Sequence, residues 1–392
     1  VNLPARPSVI AGRTGAAGEL TPARRAGAIR VMIVDDSLTV RTIFKRMVES
    51  DPALALAGTA SSAERAIAQL AAEPADVVLL DLEMPGMGGL GALPAILATP
   101  ASPQVLVVSS LTVDGAEHTL SALSMGAADT LLKPRPGGFN EEYRAQLLGK
   151  IRALGARNAG AESDPDTPDN AAPPAQPERS FARPGAILRS RQVEVIAIGA
   201  STGGIHALGL MLGTLGPACD LPILITQHLP ASFIPVFARQ VETACGRPAD
   251  IAADGMAIRP GRVMIAPGNG HMLVRRSGDR LVTRICAEPA PSGCLPSVDP
   301  MLASLAEACE GRVLGVILSG MGRDGVIGAQ QLVAAGGTIF AQDAESSAVW
   351  GMPGAVAKAG LASLIATPAR IGEAIMAHAT AQPLLRQGGG GS

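Results

Sequence analysis

The run Val193–Gly204, VEVIAIGASTGG, constrains this chain more than any other stretch. Its first half is almost continuously β-branched and apolar, the pattern of a parallel strand buried on both faces. Its second half, Gly199-Ala200-Ser201-Thr202-Gly203-Gly204, is a glycine turn, after which Ile205, Leu208, Met211 and Leu212 recur at helical spacing. Strand, tight turn and helix put Ser201 on an exposed corner beside a helix N-terminus with free N–H groups. A serine hydroxyl is a weak nucleophile unaided, so the corner acquires chemistry only if a base and an acid arrive from elsewhere.

Two motifs share these glycines. G-x-S-x-G fits the nucleophile elbow of α/β-hydrolases. The same residues fit a dinucleotide-binding turn, in which Ser201 is a mere turn residue and the next strand ends in a carboxylate for the ribose. The next strand, Ile223–Thr226, runs instead into Gln227-His228. A general base stands where a cofactor site wants an acid.

A length of 392 residues predicts two or three domains. A hydrophobic content of 47% with a net charge of −2 gives no push toward nucleic acid or an anionic membrane, and 2% aromatics argues against base-stacking platforms. No apolar run is long enough to span a bilayer, and no secretory segment opens the chain, so a cytoplasmic protein without membrane insertion is expected. Cys219, Cys245, Cys286, Cys294 and Cys309 show no C-x-x-C spacing and read as buried free thiols.

Residues 1–28 lack periodicity and read as a disordered leader. Strands then end in chemistry. Arg30–Val34 ends in Asp35-Asp36, with Ser37 a cap for a helix through Val48. Asp76–Leu80 ends in Asp81, Val105–Val108 in Ser109-Ser110, and Thr130–Leu132 in Lys133. Alternation with helices predicts a parallel doubly wound sheet, whose crevice lies at the strands' carboxyl ends. Three crowded carboxylates there would take a hard ion such as Mg²⁺. A carboxylate beside Mg²⁺ and a lysine can attack a phosphoryl group, because both cations offset the developing charge.

Residues 29–154 accordingly resemble a response-regulator receiver domain. The resemblance implies that Asp81 is the phospho-acceptor and that Asp35, Asp36 and Asp81 hold Mg²⁺ together with the backbone carbonyl of Glu83. It implies further that Lys133 and the Ser109 hydroxyl bind the phosphoryl group.

Residues 155–191 are rich in Pro, Ala, Asp and Glu and read as a flexible linker. In the second core, His228 follows a strand, Arg262–Ala266 forms another that leads to His271, and Ser297 starts a helix through Ala308. Val313–Leu318 ends in Ser319-Gly320-Met321-Gly322-Arg323-Asp324-Gly325; Thr338–Gln342 and Leu361–Ile365 complete the sheet. Ser201, His228 and Asp324 each follow a strand, so one sheet edge can collect a Ser-His-Asp triad. His271 competes with His228 as the base. His206 is expected to face solvent or a groove, and His118 and His378 to lie in helices without neighbouring chemistry. Glycine-rich backbone near Met321 can offer N–H groups to an oxyanion. The order Ser…His…Asp differs from that of α/β-hydrolases.

Residues 192–380 resemble the catalytic domain of the chemotaxis protein-glutamate methylesterase family. The motifs are IGASTGG (Ile198–Gly204), QHLP (Gln227–Pro230), APGNGHML (Ala266–Leu273), PSVD (Pro296–Asp299), GMGRDG (Gly320–Gly325) and WGMP (Trp350–Pro353). The resemblance implies Ser201 as nucleophile, His228 as base, Asp324 as its orienter, and Thr202 and Met321 lining the site. Leu295 stands where the family usually has an arginine. The whole then reads as α/β, with two doubly wound, mostly parallel sheets, a flavodoxin-like receiver and a Rossmann-like catalytic domain, before a flexible tail at 381–392. The implied activity is hydrolysis of glutamyl methyl esters, and deamidation of glutamines, on chemoreceptor cytoplasmic helices. The implied partners are those methylated receptors and a chemotaxis histidine kinase; the catalytic domain itself needs no cofactor. A phosphorylation-controlled docking protein and a nucleotide-binding output domain are the alternatives. The first has no use for a full Ser-His-Asp set, and the second is disfavoured by His228 at the ribose position.

Overall fold

The computed structural model describes residues 27–109, 113–134, 138–156, 193–215 and 219–380. Nearly all of the leader, the linker and the whole tail expected from the sequence lie outside them.

The first sheet has five parallel strands in the order β2-β1-β3-β4-β5: β1 (Ile29–Val34), β2 (Leu54–Ala60), β3 (Val77–Asp81), β4 (Gln104–Ser109) and β5 (Asp129–Leu132). The central strands are apolar on both faces and fully buried because helices cover each side. Helices α1 (Leu38–Glu49) and α5 (Glu141–Gly155) pack on one face through Phe44, Val48, Leu147 and Ile151. Helices α2 (Ala63–Ala72), α3 (Gly88–Leu97) and α4 (Val113–Ser124) pack on the other. Ser37 caps α1 as expected, its hydroxyl accepting from Val40 N. The edge strand β2 has no counterpart among the four strands read from the sequence. Its residues, LALAGTA, are mostly small, and five of the seven are half-buried, so it lacks the β-branched run that marks its neighbours.

The second sheet has seven parallel strands in the order β14-β13-β12-β6-β7-β9-β8. They are β6 (Val195–Ala200), β7 (Ile223–Gln227), β8 (Ala249–Ile251), β9 (Val263–Ile265), β12 (Val313–Ile317), β13 (Thr338–Gln342) and β14 (Ala362–Ala366). Helices α6 (Gly204–Leu215), α7 (Ile234–Cys245) and α11 (Pro368–Thr380) pack on one face; α8 (Val298–Ala308), α9 (Val326–Ala334) and α10 (Met352–Lys358) pack on the other. The chain leaves β6 toward β7 on one side and later returns to β12 on the other. The carboxyl ends of β6 and β12 therefore flank a topological switch point, the place where such sheets open a crevice.

A hairpin, β10 (His271–Ser277) with β11 (Arg280–Cys286), stands apart from this sheet and lies against α8. It was not expected, although Ser277-Gly278-Asp279 between two alternating runs is a hairpin signal and Gly278 has φ +58°. The two domains share one continuous apolar cluster, running from the α2–α4 face of the first sheet to the α6, α7 and α11 face of the second.

Candidate functional site

Ser201 sits at the turn between β6 and α6, and backbone bonds fix that corner. Ser201 N donates to Ser319 O at 3.0 Å, tying the ends of β6 and β12 together, and Gln227 Nε2 donates to Ser201 O at 2.9 Å. Ser319 Oγ donates to Thr202 O at 2.7 Å. Gly203 has φ +76°, and a Cβ there would come within 2.6 Å of Ala348 Cβ, so the turn requires glycine on two counts. The Ser201 side chain is left half-buried, facing a cavity of about 410 Å³ that His228 also lines.

His228 follows β7, and its Nε2 lies 2.8 Å from Asp324 Oδ2. Asp324 is 3% exposed and saturated with donors. Oδ1 accepts from Ser297 Oγ (2.6 Å), Gly325 N (3.0 Å) and Asp299 N (3.3 Å), while Oδ2 accepts also from Val298 N (2.7 Å). Two of these donors are the free N–H groups of the α8 N-terminus. Burial works against the charged carboxylate, but the His228, Ser297 and Val298 hydrogen bonds outweigh it and hold Asp324 well below the usual carboxylate range. Burial likewise disfavours the imidazolium of His228, and the Asp324 and Cys294 side chains reverse that, pushing it up to about 9. With Nε2–H committed to Asp324, Nδ1 is the nitrogen left to receive a proton. Among the hydrogen bonds of the described residues, none joins Ser201 Oγ to His228.

His271 is buried, and both its nitrogens are engaged. Nδ1 accepts from Ser297 N at 2.9 Å, so Nε2–H donates to Glu288 O at 2.8 Å. It steadies the segment whose Ser297 hydroxyl reaches Asp324. Ser297 stands at the start of α8 as expected, at the N-cap position, but its side chain makes no cap bond and serves Asp324 instead. Beside it Asp299 is pushed up to about 6 by burial, with the Asp324 charge adding to the effect.

Thr202 is buried and does not line the cavity; its hydroxyl donates to Asp129 Oδ2 of the first domain at 2.6 Å, and Asp129 does line it. Met321 is half-buried in the loop before Asp324 and is not among the residues lining the cavity. Gly203 N donates to Ala128 O at 2.6 Å. Arg239 pairs with Glu117 at 2.7 Å. His206 is exposed but not idle, since its Nδ1–H donates to Ser124 O across the domains at 2.9 Å. His118 is exposed; the side chain of His378 lies outside the described residues. Of the cysteines, Cys219, Cys245 and Cys309 are buried as expected, but Cys286 and Cys294 are only half-buried. Cys294 lies beside His228 and Asp324, a placement that nothing local in the sequence signals.

The first domain gathers its own cluster at the carboxyl ends of β1, β3, β4 and β5. Lys133 Nζ lies 2.6 Å from Asp81 Oδ2 and 2.9 Å from Asp35 Oδ2. Asp35 and Asp81 are buried, Asp36 and Glu83 exposed. Burial raises the pKa of Asp81 from its ordinary value, against the opposing pull of Lys133. Asp35, Asp36 and Asp81 each bring an oxygen within 4.8 Å of the others, an all-oxygen set suited to Mg²⁺. Ser109 is buried at the same edge, its hydroxyl without a partner among the described residues.

Two family patterns match the chain: the response regulator receiver domain over residues 31–138 and the CheB methylesterase over 196–375. The protein-glutamate methylesterase/protein-glutamine glutaminase 1 of Paramagnetospirillum magneticum is 44% identical over 361 residues, covering 88% of this chain and 94% of its own. The protein-glutamate methylesterase/protein-glutamine glutaminase of Azospirillum brasilense is 41% identical over 378 residues, covering 93% and 96%. The crystal structure of the Thermotoga maritima CheB methylesterase catalytic domain is 31% identical, covers 47% of this chain and 98% of that one, and superposes with a TM-score of 0.46. With identity sustained across both domains, the chain belongs to the CheB protein-glutamate methylesterase family, whose esterase domain here follows a response-regulator receiver.

Proposed function

We propose that this protein is a cytoplasmic, phosphorylation-activated serine hydrolase of chemotaxis. It removes methyl groups from glutamyl esters on chemoreceptor cytoplasmic helices, deamidates selected glutamines there, and receives its phosphoryl group from a chemotaxis histidine kinase. The observation that carries the reading is the His228–Asp324 pair at 2.8 Å, on the sheet edge and cavity that Ser201 shares.

In the reaction, Ser201 Oγ attacks the ester carbonyl while His228 takes its proton, and Asp324 stabilises the imidazolium. Methanol leaves with that proton, and water repeats the cycle on the acyl-serine; a glutamine releases ammonia instead. Thr202 and Met321 flank the nucleophile and the acid in this assignment. In the receiver, Asp81 is the phospho-acceptor, with Ser109 and Lys133 bonding the phosphoryl oxygens. Asp35, Asp36, Asp81 and the Glu83 carbonyl would hold Mg²⁺, which when bound offsets negative charge at the acceptor. The Ser109 hydroxyl, buried and with no partner among the described residues, is placed to bond an incoming oxygen. At rest the receiver sits on the esterase edge through Asp129 and Ala128, so phosphorylation acts by loosening that contact.

The test is methanol release from methylated receptor membranes as a function of pH. A base raised to about 9 is mostly protonated at neutral pH, and its free form grows as pH rises through that value. The rate is therefore expected to climb from neutral into alkaline solution. Asp324→Asn removes the partner that stabilises the imidazolium; the rate is expected to fall by about 10³–10⁴ and the remaining profile to shift to lower pH. A wild-type profile that is flat across this range, with an unimpaired Asn variant, contradicts the assignment.

A further inference from the structure

Cys294 has no part in the hydrolytic steps above, yet it stands at their centre. One donor atom each from His228, Cys294 and Asp324 lie within 4.8 Å of one another. They come from three separate loops, after β7, before α8 and after β12. We propose that these three side chains form an inhibitory zinc site laid over the base of the esterase. The occupant is a soft or borderline divalent cation with Zn²⁺ as its type, distinct from the hard ion suited to the receiver's carboxylates.

The donor chemistry selects the metal. Imidazole, thiolate and carboxylate are the three ligand types of zinc sites, and three protein ligands leave a fourth position for water. Bonds of about 2.0–2.3 Å at tetrahedral angles put ligand atoms roughly 3.3–3.8 Å apart. Reaching that from the present spacing asks for a small inward shift of the thiol and a slight opening of the His228–Asp324 contact. There is open space around the Cys294 loop, since nothing lies within 4 Å of where a Gly293 Cβ would stand and Leu295 is exposed, and the thiol's bond to Ser292 O is a long one of 3.8 Å. The carboxylate is already aimed, because Ser297 Oγ, Val298 N and Gly325 N hold Asp324 in place, the outer-shell support that ligating carboxylates need. His228 keeps 17% of its side chain exposed, so an ion has a way in. Once a metal occupies the nitrogen facing Asp324, the triad loses its imidazole–carboxylate pair and the base can no longer cycle a proton. Only this consequence rests on the role proposed for His228; the site itself rests on the donor set.

The experiment uses the reduced full-length chain with excess Mg²⁺ present, so that the receiver's carboxylates do not compete. Co²⁺ is added as the optical stand-in for Zn²⁺. A thiolate-to-cobalt charge-transfer band, displaced by Zn²⁺, is expected in the wild type and in Cys286→Ala and is absent in Cys294→Ala. Zn²⁺ is expected to suppress methanol release by the wild type. With each protein's rate taken relative to its own zinc-free value, Cys294→Ala needs at least about tenfold more Zn²⁺ for the same fractional suppression, since losing even an outer-shell partner costs about 10–100-fold in affinity. A band that survives Cys294→Ala, no band at all, or equal zinc sensitivity of the two proteins overturns the proposal. Because the absorption needs no turnover, it decides the site even if the esterase reading fails.

Discussion

Ser201→Ala and His228→Ala are each expected to lower methanol release by several orders of magnitude, to a residue sustained by binding alone, with the fold intact. Members of such a triad act as a unit, so either loss costs nearly as much as both. The geometry makes the choice of histidine sharp. His228 lines the cavity with Ser201 and, with Nε2–H facing Asp324, keeps Nδ1 as its proton acceptor, whereas His271 spends Nδ1 on Ser297 N and Nε2–H on Glu288 O. His271→Ala is therefore a positioning defect. It strands the buried Ser297 N–H, at a cost of about 1–3 kcal/mol in stability, and lets Ser297 drift from Asp324. A lowered melting temperature with a much smaller loss of rate is the expected signature. Should His271→Ala abolish methanol release while His228→Ala keeps it, the base has been misassigned.

Asp129→Ala is expected to do the opposite and raise the resting rate. Asp129 accepts from Thr202 Oγ1 at 2.6 Å, one residue from the nucleophile, and is itself paired with Lys150. A charge-assisted bond of this kind contributes about 1.5–3 kcal/mol, and each 1.4 kcal/mol taken from a closed state is roughly tenfold in its population. The unphosphorylated variant should therefore release methanol about tenfold faster or more, up to the rate of the phosphorylated wild type. Lys150→Ala leaves the Thr202 bond in place and should change the rate little. Equal resting rates for wild type and Asp129→Ala would remove this contact from the gate.

Much of the site was legible because parallel α/β sheets place chemistry at strand ends. Asp35, Asp81, Ser109, Lys133, Ser201 and His228 each follow a buried apolar run, and order along the chain suffices to bring them to an edge. Asp324 was harder, since a glycine loop explains an aspartate without chemistry. What stayed hidden has no periodic trace. The Thr202–Asp129 bond joins residues 73 apart in different domains. Cys294 reaches His228 from an irregular segment, and His271 reaches Asp324 only through Ser297. Ser297 shows the limit of local reading, because its sequence context is that of a helix cap and its hydroxyl is used elsewhere. The β10–β11 hairpin, by contrast, carried a turn signal that the polar stretch after it obscured.

In the function proposed above, the receiver holds the esterase closed until Asp81 is phosphorylated. The most direct test is methanol release from methylated receptor membranes by the full chain, with and without a small acyl phosphate and Mg²⁺. Wild type is expected to accelerate at least tenfold with the donor, the same order as opening the Asp129 contact. Asp81→Asn should keep the resting rate and ignore the donor, while Ser201→Ala stays inactive in both conditions. A wild-type rate that is the same with and without the donor, or an Asp81→Asn protein that still responds, would contradict the account.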